Sequence, residues 1–255
     1  MDNPRAILIT GASSGIGAAL ARIYAAPGVY LALGGRDAGR LDAVAEACRA
    51  AGAEAEGTVA DVTDRAAMDD WMTTVDASHP LDLVIANAGI SAGTGGGGET
   101  DEQARRIFAT NVDGVAHTVW PALERMTPRG AGQIALMSSL AGFRGFPGAP
   151  AYCASKAAVR VWGEALRGNL ATSGIGVTVI CPGYVRSPMT AVNDFPMPFI
   201  MDADRVAAII RRGLAHNKAR LMFPWPLAAS TWLLWALPPG WVDPLLRRMP
   251  EKKSN

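Results

Sequence analysis

The sequence has few cysteines and no excess of charge of either sign. Its 255 residues include three cysteines, Cys48, Cys153 and Cys181, which lie far apart and form no CxxC pair. This spacing excludes a disulfide framework and a cysteine zinc site, predicts small buried side chains, and is typical of a reducing, cytoplasmic compartment. Lys and Arg number 24 against 23 Asp and Glu, so no global positive field favours nucleic acid as a partner.

The sequence also lacks an internal repeat and a recognisable export signal. Residues 3–5, Asn-Pro-Arg, pass directly into a short apolar segment at 6–10, with no charged leader and cleavage site. A chain of this length can bury one large core. We therefore expect a single domain, with its main body at 1–220 and a hydrophobic tail at 221–255.

Short apolar segments alternate with longer amphipathic ones, which is typical of βαβ units and a parallel sheet. Helices are expected where apolar residues recur every three to four positions, at 16–25, 38–51, 65–75, 101–123, 151–171 and 203–215. Strands are expected at 6–10, 29–34, 56–59, 81–86, 132–138 and 176–181, with a seventh at 220–223. The sequence predicts an α/β fold, a doubly wound parallel sheet of about seven strands with helices on both faces.

The first predicted strand is followed by a turn that opens directly into a helix and reads Thr10-Gly11-Ala12-Ser13-Ser14-Gly15-Ile16-Gly17. Glycines let the backbone approach a pyrophosphate, and the amides and dipole of a helix N-terminus attract negative charge. A dinucleotide site is therefore expected there. A glycine turn without a ligand is the alternative.

The second predicted strand ends in Gly34-Gly35-Arg36-Asp37, at the distance where an acidic residue would bind the ribose hydroxyls of NAD. Here Gly35 precedes Arg36, whose guanidinium can bind a 2′-phosphate through paired hydrogen bonds. NADP(H) is therefore preferred over NAD(H). NAD(H) remains the alternative cofactor, because Asp37 could bind the ribose hydroxyls and Arg36 could be a solvated surface residue.

Ser138 and Ser139 end the fifth predicted strand, and Tyr152 and Lys156 lie four residues apart in a predicted helix. That spacing places the phenol and the amine on one helix face. A free tyrosine titrates near ~10, and a nearby ammonium would stabilise the phenolate and lower its pKa. The pair is expected to exchange a proton with a substrate, although Tyr-x-x-x-Lys alone is also common on helix surfaces.

The whole set, in order from the glycine turn through Asn111 to Lys156, resembles the short-chain dehydrogenase/reductase family over residues 6–187. The resemblance implies a Rossmann-like fold that transfers a hydride between a nicotinamide dinucleotide and a carbonyl or alcohol. Ser139 would bind the substrate oxygen and Tyr152 would transfer the proton. Lys156 would also hold the nicotinamide ribose, and Asn111 would support a water relay. No metal is expected.

The same resemblance implies further cofactor contacts. Asp61 and Val62 would contact the adenine side, Asn87-Ala88-Gly89 would line the adenosine side, and the carboxamide would meet Pro182, Gly183, Val185 and Ser187. Three positions depart from the usual pattern. Ser187 replaces a threonine but keeps the hydroxyl, Ala86 stands where asparagine is common, and Ser14 stands where many NADP-using members carry a basic residue.

Segments that border the substrate cleft in the family, including a loop at 186–202, are rich in apolar side chains: Phe143, Phe146, Tyr184, Met189, Phe195, Met197, Phe199 and Met201. A small hydrophobic carbonyl or alcohol substrate is therefore expected, with Arg186 and Asp194 as candidate polar contacts. The alternative is that several of these side chains belong to the core. The glycine cluster at 93–98 is expected to be a flexible surface connection.

The tail has no charged residue over 221–242, contains Trp225, Trp232, Trp235 and Trp241, and is followed by Arg247, Arg248, Lys252 and Lys253. Prolines limit the uninterrupted apolar segment to 227–237, which is shorter than the ~20 residues of a spanning helix. Two alternatives remain open. The tail either makes peripheral contact with the inner face of a membrane through 221–248, or packs over the substrate pocket or a subunit interface.

The resemblance also implies a homodimer or homotetramer. The alternative function is a catalytically silent dinucleotide-binding sensor or scaffold, which would usually lack Tyr152 or Lys156. An epimerase or dehydratase would need a larger substrate domain than the residues after Ser187 provide.

Overall fold

The apolar segments of the sequence form strands that are buried on both faces. The computed structural model describes residues 3–91 and 98–246, and within them seven strands form one parallel sheet in the order β3-β2-β1-β4-β5-β6-β7. The strands are β1 (Ala6–Thr10), β2 (Tyr30–Gly35), β3 (Glu54–Val59), β4 (Leu83–Ala86), β5 (Gly132–Met137), β6 (Ile175–Pro182) and β7 (Arg220–Phe223). The predicted doubly wound sheet is confirmed, including the seventh strand.

Helices cover both faces of this sheet. They are α1 (Gly15–Tyr24), α2 (Ala38–Ala50), α3 (Arg65–Ser78), α4 (Asp101–Phe108), α5 (Gly114–Arg129), α6 (Pro150–Asn169), α7 (Pro188–Ala191), α8 (Ala203–Ala215), α9 (Trp225–Ala236) and α10 (Pro239–Leu246). Because successive strand side chains point to opposite faces, two apolar cores form. Leu8 packs with residues of α3, α5 and α6, and Ile7 and Ile9 pack with residues of α1, α2 and α8.

The helix predicted at 101–123 is not one continuous element. It divides into α4 and α5 around a turn of π-helix at Ala109–Asp113, and α5 continues to Arg129 with Pro121 and Pro128 inside it. Turns of this kind are frequent at functional sites because they redirect one side chain out of the helical register. Here the turn carries Asn111, whose side chain is fully buried.

The order of the strands reverses beside β1. The chain goes from β1 to β2 and β3 in one direction, and β4 then pairs with the other side of β1. In open parallel sheets the carboxyl ends of the strands at such a reversal form a crevice that binds ligands. The glycine turn after β1 and Asn87 after β4 therefore lie where a ligand is expected.

The tail predicted at 221–255 begins inside the sheet, because residues 221–223 belong to β7 and pair with β6. It continues as α9 and α10, and residues 247–255 lie outside the described residues, as do residues 93–97 of the glycine connection predicted at 93–98. Among the helices of the described ranges, none combines the length and the apolar character needed to cross a bilayer.

The packing of α6 on the sheet gives a stability prediction. A methyl group added at Gly163 would lie 2.6 Å from Val179 Cγ2 and 2.8 Å from Leu136 Cδ1. Gly163→Ala should therefore lower the free energy of unfolding by about 1–3 kcal/mol, as overpacking does. On the same helix, Gly168 has no atom within 4 Å of such a methyl, so Gly168→Ala should be neutral or stabilising by roughly 0.5–1 kcal/mol. Denaturant unfolding of both variants measures the difference, and equal midpoints would contradict this packing.

Candidate active site

The turn between β1 and α1 brings its backbone close to the end of β4. Gly11 and Gly15 have left-handed backbone conformations, with φ of +66° and +53°. A Cβ atom on Gly17 would lie 2.2 Å from the Gly11 carbonyl oxygen. Only glycine satisfies these positions without strain or displacement. Ser14 precedes α1 and makes no side-chain capping bond to it, so the first amides of this helix can serve an anion.

Hydrogen bonds lock the glycine turn to the segment after β4. The Thr10 hydroxyl oxygen accepts from the amides of Asn87 and Ala88, each at 3.1 Å. The Asn87 side-chain amide donates to the carbonyl oxygens of Thr10 and Gly11, at 2.9 and 3.2 Å. Asn87 is thus positioned by its own bonds to the turn, and sequence reasoning had assigned no role to Thr10.

The end of β2 presents two arginines to the same cleft. Arg36 and Arg40 both line it. Asp37 caps α2 by accepting from the Arg40 amide at 3.0 Å and also forms an ion pair with the Arg40 side chain at 2.8 Å. Asp61 accepts from the Thr63 amide, and this bond, together with the nearby Arg36 charge, holds the pKa of its carboxyl below the usual range. This end of the cleft therefore carries two arginines and two carboxylates, with Arg40 paired to Asp37.

Tyr152 lies in the first turn of α6. Burial raises the pKa of its phenol to about 12, and the nearby Ser139 side chain opposes that rise only in part. The prediction that Lys156 lowers this pKa is wrong for the protein by itself, because desolvation outweighs every stabilising contact. Tyr152 is consequently a neutral hydroxyl at neutral pH and can donate a proton.

The Lys156 side chain is buried, and its amine donates to the Met137 carbonyl oxygen at 2.9 Å. The amine lies 5.9 Å from the centroid of the Tyr152 ring. Burial lowers the pKa of Lys156 to about 8, because a charged amine loses hydration there. Ser138 donates from its hydroxyl to the Lys156 carbonyl oxygen at 2.7 Å and so fixes this part of α6.

Asn111 uses its amide to connect three elements. Its carbonyl oxygen accepts from the Ile90 amide at 2.8 Å, and its nitrogen donates to the Ile90 carbonyl oxygen and to the Ser155 hydroxyl. The Lys156 amine and the Asn111 oxygen both lie 3.2 Å from the Cβ position of Gly89. Asn111 is therefore close to the lysine, and its hydrogen bonds hold the segment after β4 against α6.

The segment after β6 closes the site from the opposite side. Gly183 donates its amide to the Phe223 carbonyl oxygen at 2.8 Å, and Val185 forms an isolated bridge with Met201. Ser187 precedes α7 in a capping box with Thr190. Its Cβ atom lies 3.1 Å from the Cβ position of Gly15, so the expected carboxamide segment directly faces the glycine turn.

Nearly all of the predicted site residues border one cavity of about 1380 Å³. The glycine turn, the ends of β2, β4 and β5, the first turn of α6 and the segment after β6 all contribute to its wall. Gly17 and Asn111 do not line it, because one packs against the Gly11 backbone and the other is fully buried. These two residues act through the neighbours that they position.

The apolar residues expected at the substrate end divide into two groups. Phe146, Tyr184, Met189 and Phe195 line the cavity. The other four do not. Phe143 is buried beneath the guanidinium groups of Arg160 and Arg220, Met201 packs in the core, Phe199 is exposed to solvent, and Met197 accepts from Asn193 through its sulfur. The alternative that several belong to the core is correct for Phe143 and Met201.

The two expected polar contacts are likewise absent from the cavity wall. Arg186 forms an ion pair with Asp202 at 2.9 Å, and Asp194 does not border the cavity. Instead, α9 supplies part of the wall through Leu227, Ser230, Thr231 and Leu234. Of the alternatives for the tail, packing over the pocket thus applies to one face of α9.

Sequence reasoning missed Glu99, which lies outside the resemblance motifs. Helix α6 begins after Ala149, which has no side chain able to cap it. The Glu99 carboxylate performs this function from a distant loop, since both of its oxygens accept from the Ala151 amide at 3.1 Å. Arg40 was missed as well, although a basic residue one helical turn after Arg36 was a usable signal.

Comparison with known proteins agrees with this geometry. A family model described as short chain dehydrogenase matches residues 5–195. An uncharacterized oxidoreductase of Myxococcus xanthus is 40% identical over 246 residues, which are 96% of this chain and 97% of that protein.

Two solved structures illustrate the structural similarity. One is a short chain dehydrogenase/reductase from Burkholderia phymatum in complex with NAD, with a TM-score of 0.83, 25% identity, and coverage of 100% of this chain and 99% of that chain. The other is an actinorhodin polyketide ketoreductase with NADPH, with a TM-score of 0.80, 27% identity, and coverage of 89% and 98%.

The cap on α6 gives a prediction for Glu99. Glu99→Ala should lower the free energy of unfolding by about 1 kcal/mol, because the Ala151 amide loses its acceptor. Glu99→Gln keeps an acceptor oxygen and should restore most of the loss. Glu124, whose carboxylate is mostly exposed and 3.9 Å from its nearest cation, provides the control variant Glu124→Ala. Thermal and denaturant unfolding measure the three variants, and an unchanged midpoint for Glu99→Ala would show that the cap is dispensable.

Proposed function

The chain belongs to the short-chain dehydrogenase family, and from that premise we propose that it transfers a hydride between a nicotinamide dinucleotide and the carbonyl or alcohol of a hydrophobic substrate. One observation carries the proposal. Tyr152, Ser139 and Lys156 stand at the wall of the same cavity that the glycine turn opens into. The proposed proton donor and the glycine turn that would bind the dinucleotide therefore face the same cavity.

The residues present fit a dinucleotide. At Gly11 the space that a Cβ would need is filled by the backbone of Ala88 at 2.9 Å, so the turn presents amides and no side chain. The uncapped start of α1 suits a pyrophosphate. When bound, the cofactor supplies or accepts the hydride. The protein's own contribution is to orient the substrate and to handle the proton.

Burial keeps the Tyr152 phenol protonated, so the wall of the cavity carries a hydroxyl whose proton can face a bound substrate. The neutral Tyr152 hydroxyl would donate a proton to the substrate oxygen during reduction and take one back during oxidation. Ser139, whose side chain lies near the Tyr152 phenol, would donate to the same oxygen and stabilise its developing charge. The Lys156 amine, held by Met137, would keep the tyrosine environment polar and bind the nicotinamide ribose. Asn111 would support this arrangement through a water relay.

We infer a preference for NADP(H), with NAD(H) as the second cofactor. Two arginines, Arg36 and Arg40, border the adenosine end, and the capping bond of Asp37 to the Arg40 amide competes with a role for Asp37 on a ribose. Paired arginine contacts suit a 2′-phosphate. Asp61 and Val62 border the same end and would contact the adenine.

The substrate end supports a small hydrophobic carbonyl or alcohol. Phe146, Met189, Phe195, Leu227 and Leu234 supply apolar surface to the cavity wall. Few polar groups accompany them, which favours an apolar molecule with one reacting oxygen. A charged sugar phosphate would find no cation at this end among the lining residues of the described chain.

We also propose a homodimer or homotetramer in the cytoplasm. The three cysteines are buried and free, which suits a reducing compartment. An apolar surface on α5 and α6 supports self-association, since Trp120 is 53% and Val161 54% exposed, and the Trp120 ring lies 6.0 Å from that of Trp162. Aromatic residues of this kind are enriched at subunit contacts.

The role of Tyr152 predicts the result of removing one hydroxyl. Tyr152→Phe should lower kcat for NADPH-dependent reduction of apolar ketones by about 10²- to 10⁴-fold, because the proton donor is lost. The Kd for NADPH should stay within about twofold. Tyr24→Phe is the matched control, since Tyr24 is buried in α1 and does not line the cavity.

Stopped-flow oxidation of NADPH and fluorescence titration supply these two measurements. Full turnover by the Tyr152 variant would overturn the assignment. Dinucleotide binding with no turnover on any ketone or aldehyde by the wild type would instead favour the sensor or scaffold.

Cofactor preference depends on Arg36. Arg36→Ala should weaken NADPH binding by roughly tenfold or more, since a charge-assisted hydrogen bond is lost, and should leave NADH binding within about twofold. Arg105→Ala removes an exposed arginine paired with Asp101 in α4 and should change neither. Calorimetric titration with both cofactors measures this, and tighter binding of NADH than NADPH by the wild type would reject the preference.

A further inference from the structure

Helices α9 and α10 are apolar on the side that faces away from the protein. We define the tryptophan face by its exposed members, Trp225, Trp232, Leu233 and Trp235 of α9 and Trp241 and Leu245 of α10, which are 50–77% exposed. The opposite side of α9 lines the cavity through Leu227, Thr231 and Leu234. One helix therefore separates the apolar cavity from an apolar outer surface.

The tryptophan face is held in place by the body of the protein. Arg144 forms an ion pair with Asp243 of α10 at 3.6 Å and donates to the Pro239 carbonyl oxygen at 3.3 Å. Val242 and Leu246 of α10 are buried. The large side chains of the face are thus presented outward on an anchored helix pair. Surfaces of this size and character mark a binding site for another apolar partner.

The charges in and after the tryptophan face indicate which kind of partner it fits. Over 221–246 the only acidic residue is Asp243, which is already paired with Arg144. The residues that follow in the sequence, 247–255, contain four basic side chains, Arg247, Arg248, Lys252 and Lys253, against one acidic, Glu251. Tryptophans followed in the sequence by a basic segment suit the headgroup region of an anionic bilayer, where the amphipathic rings lie at headgroup level and the cations meet lipid phosphate.

The other exposed apolar surface of the described chain differs in this respect. Trp120 and Val161 of α5 and α6 are followed, one helical turn later, by Glu124 and Glu164. Glu164 is paired with Arg160 and Arg220, but Glu124 is mostly exposed and would be repelled by anionic lipid, so this surface suits a second copy of the chain better than a membrane. The two apolar faces therefore fit two different partners.

We propose that the tryptophan face docks the protein on the surface of an anionic lipid bilayer, with α9 and α10 lying in the headgroup region. This is interfacial binding, in which one apolar face of a helix enters the boundary of the acyl chains. With the proposed function, an apolar substrate dissolved in the bilayer would reach the cavity past a single helix, about 10–12 Å across.

Vesicle flotation of the full chain tests the docking without any need for turnover. Wild type should float with vesicles of phosphatidylcholine and phosphatidylglycerol, less with phosphatidylcholine alone, and less at high salt. Trp225→Gln/Trp232→Gln should reduce binding by about tenfold or more, because two large apolar side chains lose their burial in lipid. Replacing the four basic residues of 247–253 by Gln should abolish the preference for anionic vesicles.

The control variant Trp120→Gln removes an exposed tryptophan from the other face. The Trp120 variant should float to within about twofold of the wild type. The Trp225→Gln/Trp232→Gln variant should keep the wild-type mass in light scattering. A smaller assembly for the Trp225/Trp232 variant would show that a second copy covers the face and would overturn the proposal. Absence of flotation by the wild type, or equal flotation on neutral and anionic vesicles, would overturn it as well.

Turnover of a water-soluble ketone separates this proposal from the proposed function. The Trp225/Trp232 variant should retain wild-type turnover, since neither residue lines the cavity. A wild type that floats but never turns over would refute only the proposed function.

Discussion

A buried amine is the constraint on which the site depends. Lys156 is only 4% exposed, and its amine is satisfied by the Met137 carbonyl oxygen at the end of β5. A buried cation is costly unless it is hydrogen-bonded. The register between β5 and α6 is therefore restricted, and Ser138 reinforces it by donating to the Lys156 carbonyl oxygen. Tyr152, one turn earlier on α6, acquires its position from the same constraint.

The surrounding backbone has to approach this lysine closely, and small residues make that approach feasible. A Cβ atom on Gly142 would lie 2.7 Å from the Lys156 carbonyl carbon, and one on Gly89 would lie 3.2 Å from the amine. Asn111 then fills the remaining polar contacts between the end of β4 and α6. Packing, hydrogen bonding and proton chemistry are thus served by one arrangement, which lies beside the strand reversal at β1 and β4.

Local patterns account for the parts that were predicted correctly. Strands buried on both faces appear as short apolar runs, and the order of turn, Asn87 and the Tyr152 and Lys156 pair follows the order of strands and helices. The pKa of Tyr152 was predicted in the wrong direction because spacing along a helix says nothing about desolvation. Similarly, Phe146 and Phe143 look alike in sequence, yet only Phe146 lines the cavity.

By itself the sequence determined the fold class, the glycine turn and most of the predicted residues that line the cavity, because each depends on residues within one element or on the order of elements. Tertiary structure alone decided that Glu99 caps α6 and that α9 has a cavity side and an outer side. Those contacts join residues far apart in the chain or depend on how a helix lies on the sheet. No local periodicity encodes such contacts, since they arise only when separate elements pack together.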